Sequence, residues 1–287
     1  MALDWLNDKL TEDKLPIGKW AKTAVDWLID NGGFIFDWLS VQLKTMIDAV
    51  LWVLNFPHPL IFIIILTALA LYLKRGIIFP IFVALATLLI LNQGYWTEML
   101  QTLALVLSAS IVCMAIGVPL GIAAGHNPKF SALLRPILDL MQTIPTFVYL
   151  IPALILFGLG MVPGLIATVI FALPAPIRLT ELGIKSVPTQ LIEAGKAFGA
   201  TPRQLLFKVE LPYAIPNIMA GLTQTIMLSL SMVVIAALVG APGLGVPVVR
   251  ALNTVNIAKG FEAGLVIVLV AILLDRFLRY ERGGKDV

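Results

Sequence analysis

The sequence predicts an all-α, multi-spanning membrane protein. Of its 287 residues 59% are hydrophobic and 13% charged, and the mean hydropathy is +0.96. Soluble domains carry about 25% charged residues, so a soluble globular protein is nearly excluded. Several stretches also approach the ~20 apolar residues that a helix needs to cross a bilayer. Length alone allows one or two domains, and one membrane bundle with a small appendage fits best.

Residues 1–18 are polar with scattered apolar positions and read as weakly ordered or as a short surface helix. They lack a basic segment followed by an apolar one, so no cleavable signal peptide is expected. After Gly33, Asp37, Ser40, Lys44 and Asp48 recur at spacings of three and four. That pattern predicts an amphipathic helix over 34–54 lying at the membrane interface, with an extra span as the alternative. Trp5, Trp20, Trp27, Trp38 and Trp52 all fall in this N-terminal fifth, as an interfacial belt requires.

About seven spans follow, near 57–73, 76–92, 97–123, 137–157, 162–180, 213–240 and 262–279. The second is short and pierced by Pro80, and Pro119 is expected to kink the third. The uncharged run 140–177 is too long for one helix, and the glycines and proline of 158–164 place its break there. The resulting division is an extracytoplasmic or interfacial extension (1–56), two accessory spans (57–96), a transmembrane core (97–280) containing a loop at 186–212, and a short cytoplasmic tail (281–287).

Charge gives the orientation. Residues 1–48 hold five Lys and eight acids, a net −3, within a total of +3. With seven spans, thirteen Lys/Arg of the spans and loops fall on one side (from Lys74 and Arg75 to Lys285) and only Arg250 and Lys259 on the other. Positive loops stay in the cytoplasm. The 178–212 loop and the C-terminus are therefore expected on the cytoplasmic side of the membrane and the N-terminus outside. The cations are scattered between apolar stretches, which fits membrane orientation and not nucleic acid.

Absences narrow the chemistry. No ionisable Asp, Glu, Lys or Arg lies in 99–125, 140–177 or 213–249. Such residues mark proton relays, so a proton-coupled carrier is disfavoured, while sodium coupling through neutral oxygens stays open. The single Cys113 excludes an internal disulfide or a cysteine-based zinc site and reads as a small core residue. His58 and His126 sit near span ends and read as surface histidines, not a metal pair. No nucleophile–His–acid set is present, so no catalytic residue and no metal site are expected.

The segment RLTELGIKSVPTQLIEAGKAFGATPRQLLFKVELP (178–212) is the most informative. Pro188 suits a first helical turn, and Leu191, Ala194 and Phe198 share one helical face. Gly199 fits a left-handed C-terminal cap. Thr201, Pro202 and Gln204 restart a helix with a capping box, and Pro212 is expected to end it. Two short helices joined at Gly199–Ala200 form an elbow fixed to two spans. An ordinary helical loop is the plain alternative.

Glu193-Ala194-Gly195, Gly199 and Leu211-Pro212 resemble the EAA loop of ABC importer permeases at every spacing, with Gly195 in place of the second Ala and Val209 in place of Ile. The runs 141–160, 171–184, 198–212 and 228–245 are similar to the glycine betaine/proline betaine permease subfamily. This resemblance implies the type I ABC importer bundle over roughly residues 60–280. It implies that Glu193, Ala194, Gly195, Lys196, Ala197, Phe198, Gly199 and Ala200 form the helix that couples to an ATPase. The implied partners are two copies of that ABC ATPase, a second permease chain in a homodimer, an extracytoplasmic substrate-binding protein and membrane lipid. ATP and Mg belong to the ATPase, and this chain carries no cofactor. It has no phosphate-binding G-x-x-x-x-G-K-[ST], since Gly195-Lys196 is followed by Ala197 and Gly18-Lys19 by Trp20. The implied substrates are glycine betaine, proline betaine, choline or a related quaternary amine. The alternatives are an ABC permease for another small amine or amino acid, an ion-coupled secondary carrier, and a scaffold without transport.

Two further patterns concern the spans themselves. Gly117, Gly121 and Gly125 form a small-residue stripe for close helix approach, either inside the bundle or between two permeases. Thr143, Thr146, Phe147, Tyr149, Gln224, Ser229 and Ser231 are candidates to line the substrate route. The alternative for each polar one is a hydrogen bond between helices. Phe147 and Tyr149 are the aromatic rings that a cationic head group could contact.

Overall fold

The computed structural model describes residues 16–73 and 76–278, with Ile17 given by its backbone alone. Thirteen α-helices are found among them, and no strand. They are α1 (Ile17–Asn55), α2 (Pro59–Tyr72), α3 (Ile78–Asn92), α4 (Trp96–His126), α5 (Pro128–Thr143), α6 (Thr146–Phe157), α7 (Met161–Ala172), α8 (Pro174–Lys185), α9 (Thr189–Ala197), α10 (Pro202–Leu205), α11 (Leu211–Ala237), α12 (Gly245–Asn253) and α13 (Ile257–Leu278). A π-helical turn, Leu206–Glu210, joins α10 to α11. The tail 1–15 and the segment 279–287 lie outside the described residues, as do Lys74 and Arg75.

Local chemistry explains the helix starts. Pro59 opens α2 and Pro128 opens α5, where a missing N–H costs nothing. Asn127 caps α5 by accepting from the backbone N–H groups of Lys129 and Phe130 at 3.0 and 3.2 Å. Pro80 falls in the first turn of α3, so it begins that helix instead of breaking it. The helical assignment of α4 continues through Pro119 for 31 residues, about 46 Å at 1.5 Å per residue, enough to cross a bilayer.

Helix α8 lies between α4 and α11. A Cβ on Gly117, Gly121 or Gly125 would stand 2.7, 2.6 and 2.6 Å from side-chain atoms of Pro176, Thr180 and Ile184. The glycine stripe of α4 is thus filled by α8 of the same chain, which settles that alternative as packing inside the bundle. On the other side of α8, Gly221 of α11 lets its backbone approach Pro176 Cα, 3.2 Å from where a Cβ would be. Cys113 is fully buried in this core, as expected of a small apolar residue.

Among the described residues four helical stretches are long and apolar enough to cross a membrane: Trp96–His126, Met161–Lys185, Pro202–Ala237 and Ile257–Leu278. Two bent pairs raise the count to six at most by length and composition, and α3 is a shorter apolar helix. The span expected at 137–157 is not one helix. Its two halves, α5 and α6, meet at 93°. Ile144 is forced into extended backbone (ψ 128°) by Pro145 behind it. The chain also remains helical further than expected after 180, through Lys185.

The N-terminal helix is longer than the 34–54 stretch read from the sequence. Its Leu43, Met46, Ile47, Val50, Leu51 and Leu54 pack on the bundle, with Ile47 buried beside residues of α4 and α7. Asp37, Lys44 and Asp48 are exposed, as are Trp38 and Trp52. One face is thus docked on protein.

Candidate functional site

The elbow is exposed, with a cap on each side of its joint. No residue of α9 is buried. Leu191 is 45% exposed and Phe198 93% exposed, and Ala194 between them is exposed too. Glu193, Lys196, Ala197 and Gly199 are exposed and Ala200 is half-buried. Gly199 has φ +74°. The Ala200 N–H donates to Gly195 O at 3.0 Å and the Gly199 N–H to Lys196 O at 2.9 Å. These two bonds complete a Schellman cap. Two residues on, the Gln204 N–H donates to Thr201 Oγ1 at 3.3 Å, and the Thr201 N–H donates to Gln204 Oε1 at 2.8 Å. The predicted capping box is therefore formed. Pro188 stands just before α9, at its N-cap, and not inside the first turn. Gly195 lies over Leu205, whose Cδ1 is 3.0 Å from where a Cβ would be. This close approach ties α9 to α10.

Pro212 does not end the helix. The π turn bonds Leu211 N–H to Leu206 O, so the backbone is already widened where Pro212 enters. A proline inside a helix offends by its missing donor and by its clash with a carbonyl four residues back. Pro212 stands in the first turn of α11, where a missing N–H is tolerated, and the elbow runs directly into α11.

Sequence reading missed the group that ties this elbow to the bundle. Glu210, 6% exposed, sits in the π turn. Its Oε2 is 2.7 Å from Nε2 of His126, the last residue of α4. The other ring nitrogen, Nδ1, is 3.0 Å from Ile122 O. His126 is exposed, as expected of a surface histidine, and is also a latch at the end of a span. An acid in the mostly apolar stretch 205–216, whose only other charged residue is Lys208, was the signal for it. His58 instead caps α2, its Nδ1 accepting from the Leu60 N–H at 3.4 Å.

A second polar cluster joins α5 to α8. Arg178 donates to Asp139 and, at 3.1 Å, to Gln142 Oε1. Ser131 Oγ donates to Glu181 Oε1 at 2.6 Å, and Lys185 pairs with the same carboxylate. Asp139 thus bonds Arg178 and not the Arg135 near it in sequence.

The seven candidate route residues separate by exposure. Thr143, Phe147, Gln224 and Ser231 are exposed and Thr146 is half-buried. Tyr149 and Ser229 are buried. Ser229 Oγ donates to Thr225 O at 2.8 Å within its own helix, so it is satisfied locally and does not face an open route. Tyr149 packs with Met232 and Ala167, and its hydroxyl has no partner among the described residues. No His, Cys, Asp and Glu cluster suited to a metal is found among the described residues.

Residues 117–280 match the family described as binding-protein-dependent transport system inner membrane component. The glycine betaine transport system permease protein OpuAB of Bacillus subtilis is 48% identical over 264 residues, covering 92% of this chain and 93% of that protein. The glycine betaine/proline betaine transport system permease protein ProW of Escherichia coli is 42% identical, covering 94% of this chain and 76% of that protein. Among solved structures, an inward-facing MetNI methionine ABC transporter aligns with a TM-score of 0.57 at 25% identity, over 64% of this chain and 94% of that one. An all-helical bundle with a capped elbow, matched over more than half its length, makes this chain a member of the binding-protein-dependent inner membrane permeases of ABC transporters.

Proposed function

We propose that this chain is the translocation subunit of an ATP-driven importer for glycine betaine or a related quaternary-amine osmolyte. The observation that carries the reading is near-full-length identity to glycine betaine permeases. The exposed Leu191–Ala194–Phe198 face supports the coupling half of it. An apolar strip left open on a helix capped at its C-terminus suits insertion into a partner cleft, and its link through α10 to α11 suits the transmission of force.

In this reading α9 and Gly199–Ala200 dock an ABC ATPase, which binds the ATP and Mg. Two permease chains and two ATPases assemble, and a binding protein delivers substrate from the opposite face. The elbow and C-terminus are cytoplasmic and the N-terminus is outside. Thr143, Thr146, Phe147, Gln224 and Ser231 line the route, and Tyr149 stands behind it. The test is uptake of labelled glycine betaine by vesicles containing this chain, its ATPase and its binding protein, with and without internal ATP. ATP-dependent uptake is expected. If the ATPase binds and no quaternary amine is taken up, the substrate assignment is wrong. If no ATPase binds, the coupling assignment is wrong.

A further inference from the structure

Helix α4 has the His126 latch at one end and Tyr95 and Glu98 at the other. There the start of α4, the turn before α12, α12 itself and the start of α13 enclose a cavity of about 600 Å³. Ligand pockets span about 300–1,000 Å³. Its charged lining comes from three elements: Glu98 from α4, Arg250 from α12 and Lys259 from α13. Among the described residues none of the three side chains makes a hydrogen bond or an ion pair. Opposite charges are thus held around one space, beyond ion-pair distance of each other.

The enclosure is firmly built. The Leu244 N–H donates to buried Thr102 Oγ1 at 2.8 Å. That bond brings the Pro242–Gly243 turn against α4, so close that a Cβ on Gly243 would stand 2.7 Å from Thr102 Oγ1. Tyr95 Oη reaches Glu262 Oε2 at 3.5 Å. Burial, and then the charge of Glu262, push the Tyr95 phenol above its ordinary range, which keeps it a protonated donor. The turn joining α12 to α13 holds Val255 at φ +51°, the one non-glycine residue with positive φ among those described. A β-branched residue there stores strain. The same turn sets the positions of Arg250 and Lys259, with Asn256 Oδ1 accepting the Lys259 N–H at 3.1 Å.

We infer that this cavity is a binding site for the zwitterionic substrate, at the end of the bundle opposite the elbow. The inference rests on the osmolyte-importer reading above. A betaine carries a carboxylate and a quaternary ammonium on one small frame. The Arg250 fork and Lys259 suit the carboxylate. The Tyr95 ring and Glu98 suit the ammonium, which has no proton to donate and is held by charge and by an aromatic face. A simple anion is repelled by Glu98 and a simple cation by both Arg250 and Lys259, whereas each end of a zwitterion has a partner of opposite charge.

The test uses the permease–ATPase complex in nanodiscs without the binding protein, and measures equilibrium binding of labelled glycine betaine. Saturable binding is expected for the native chain. Arg250→Gln and Glu98→Gln are each expected to weaken it about tenfold, the loss of one charge-assisted contact. Lys259→Gln, at an exposed position, is expected to weaken it less and serves as the variant least able to disturb the fold. ATPase retention and melting temperature verify each variant. If the complete system takes up betaine and the nanodisc complex shows no saturable binding, or the variants bind as the native chain does, the site is refuted and the importer reading stands. If Arg250→Gln instead abolishes capture of the binding protein with betaine binding unchanged, the cavity is a protein dock and the inference is equally refuted. If the complete system takes up no betaine, the importer reading is what fails.

Discussion

At position 199 the backbone conformation, and not space, demands glycine. Its φ is +74° and a Cβ would meet nothing within 4 Å. An L-residue there costs about 1–2 kcal/mol, and a β-branched one more. Gly199→Val should therefore loosen the end of α9, lowering both ATPase co-purification and uptake, with membrane insertion unchanged. Gly199→Asn should be milder, because Asn tolerates the left-handed region. Uptake and ATPase capture at native levels in the valine variant would sink the lever argument. Gly195 is the opposite case. An added methyl presses only on the free end of Leu205, so Gly195→Ala should be close to neutral. At position 126 the concern is what remains after removal. His126→Ala leaves the Glu210 carboxylate, 7% exposed, without its partner. An unsatisfied buried group costs about 1–3 kcal/mol. A lower melting temperature is expected, with His126→Gln recovering part of it through a replacement donor. A double-mutant cycle with Glu210→Gln isolates the pair.

Between elements, the decisive contact is α4 on α8. A methyl on Gly121 would lie 2.6 Å from Thr180 Cβ and 2.7 Å from the Ile177 carbonyl oxygen. Backbone cannot swing aside, so the two helices must separate. Overpacking of this kind costs about 1–3 kcal/mol, and Gly121→Ala should lower the melting temperature of the purified chain. Gly264→Ala is the control. Nothing lies within 4 Å of its added methyl, and alanine favours a helix over glycine by up to about 1 kcal/mol, so no loss is expected. The same logic explains why the α5–α6 right angle sits at Ile144–Pro145. A pre-proline residue avoids helical backbone, whereas Pro212 stands in the first turn of α11 directly after a π turn, and the helix runs on.

For the whole molecule the testable quantity is which end faces which compartment. The chain has one cysteine, and it is buried, so single introduced thiols can be read cleanly. Phe198 is 93% exposed at the elbow and Val255 is 82% exposed at the opposite end. A membrane-impermeant thiol reagent should label Val255→Cys in intact cells. Phe198→Cys should label only in inverted vesicles stripped of ATPase. The reverse pattern overturns the orientation, and labelling of both from one side overturns the placement of the elbow and the charged cavity at opposite ends of α4.

The sequence by itself determined the membrane class, the family and the elbow. Apolar content reports directly on the solvent a chain can occupy. Caps and turns are local, so Gly199, Thr201 and Gln204 carry their own structure wherever the chain runs. Only the tertiary structure decided what the glycine stripe packs against, that His126 holds Glu210, and which candidate route residues are covered. It also gathered Glu98, Arg250 and Lys259 around one cavity from positions far apart in the chain. Those outcomes depend on which helix faces meet. Apolar stretches with weak periodicity do not encode that pairing one at a time, because nearly every face of such a helix is equally ready to be buried.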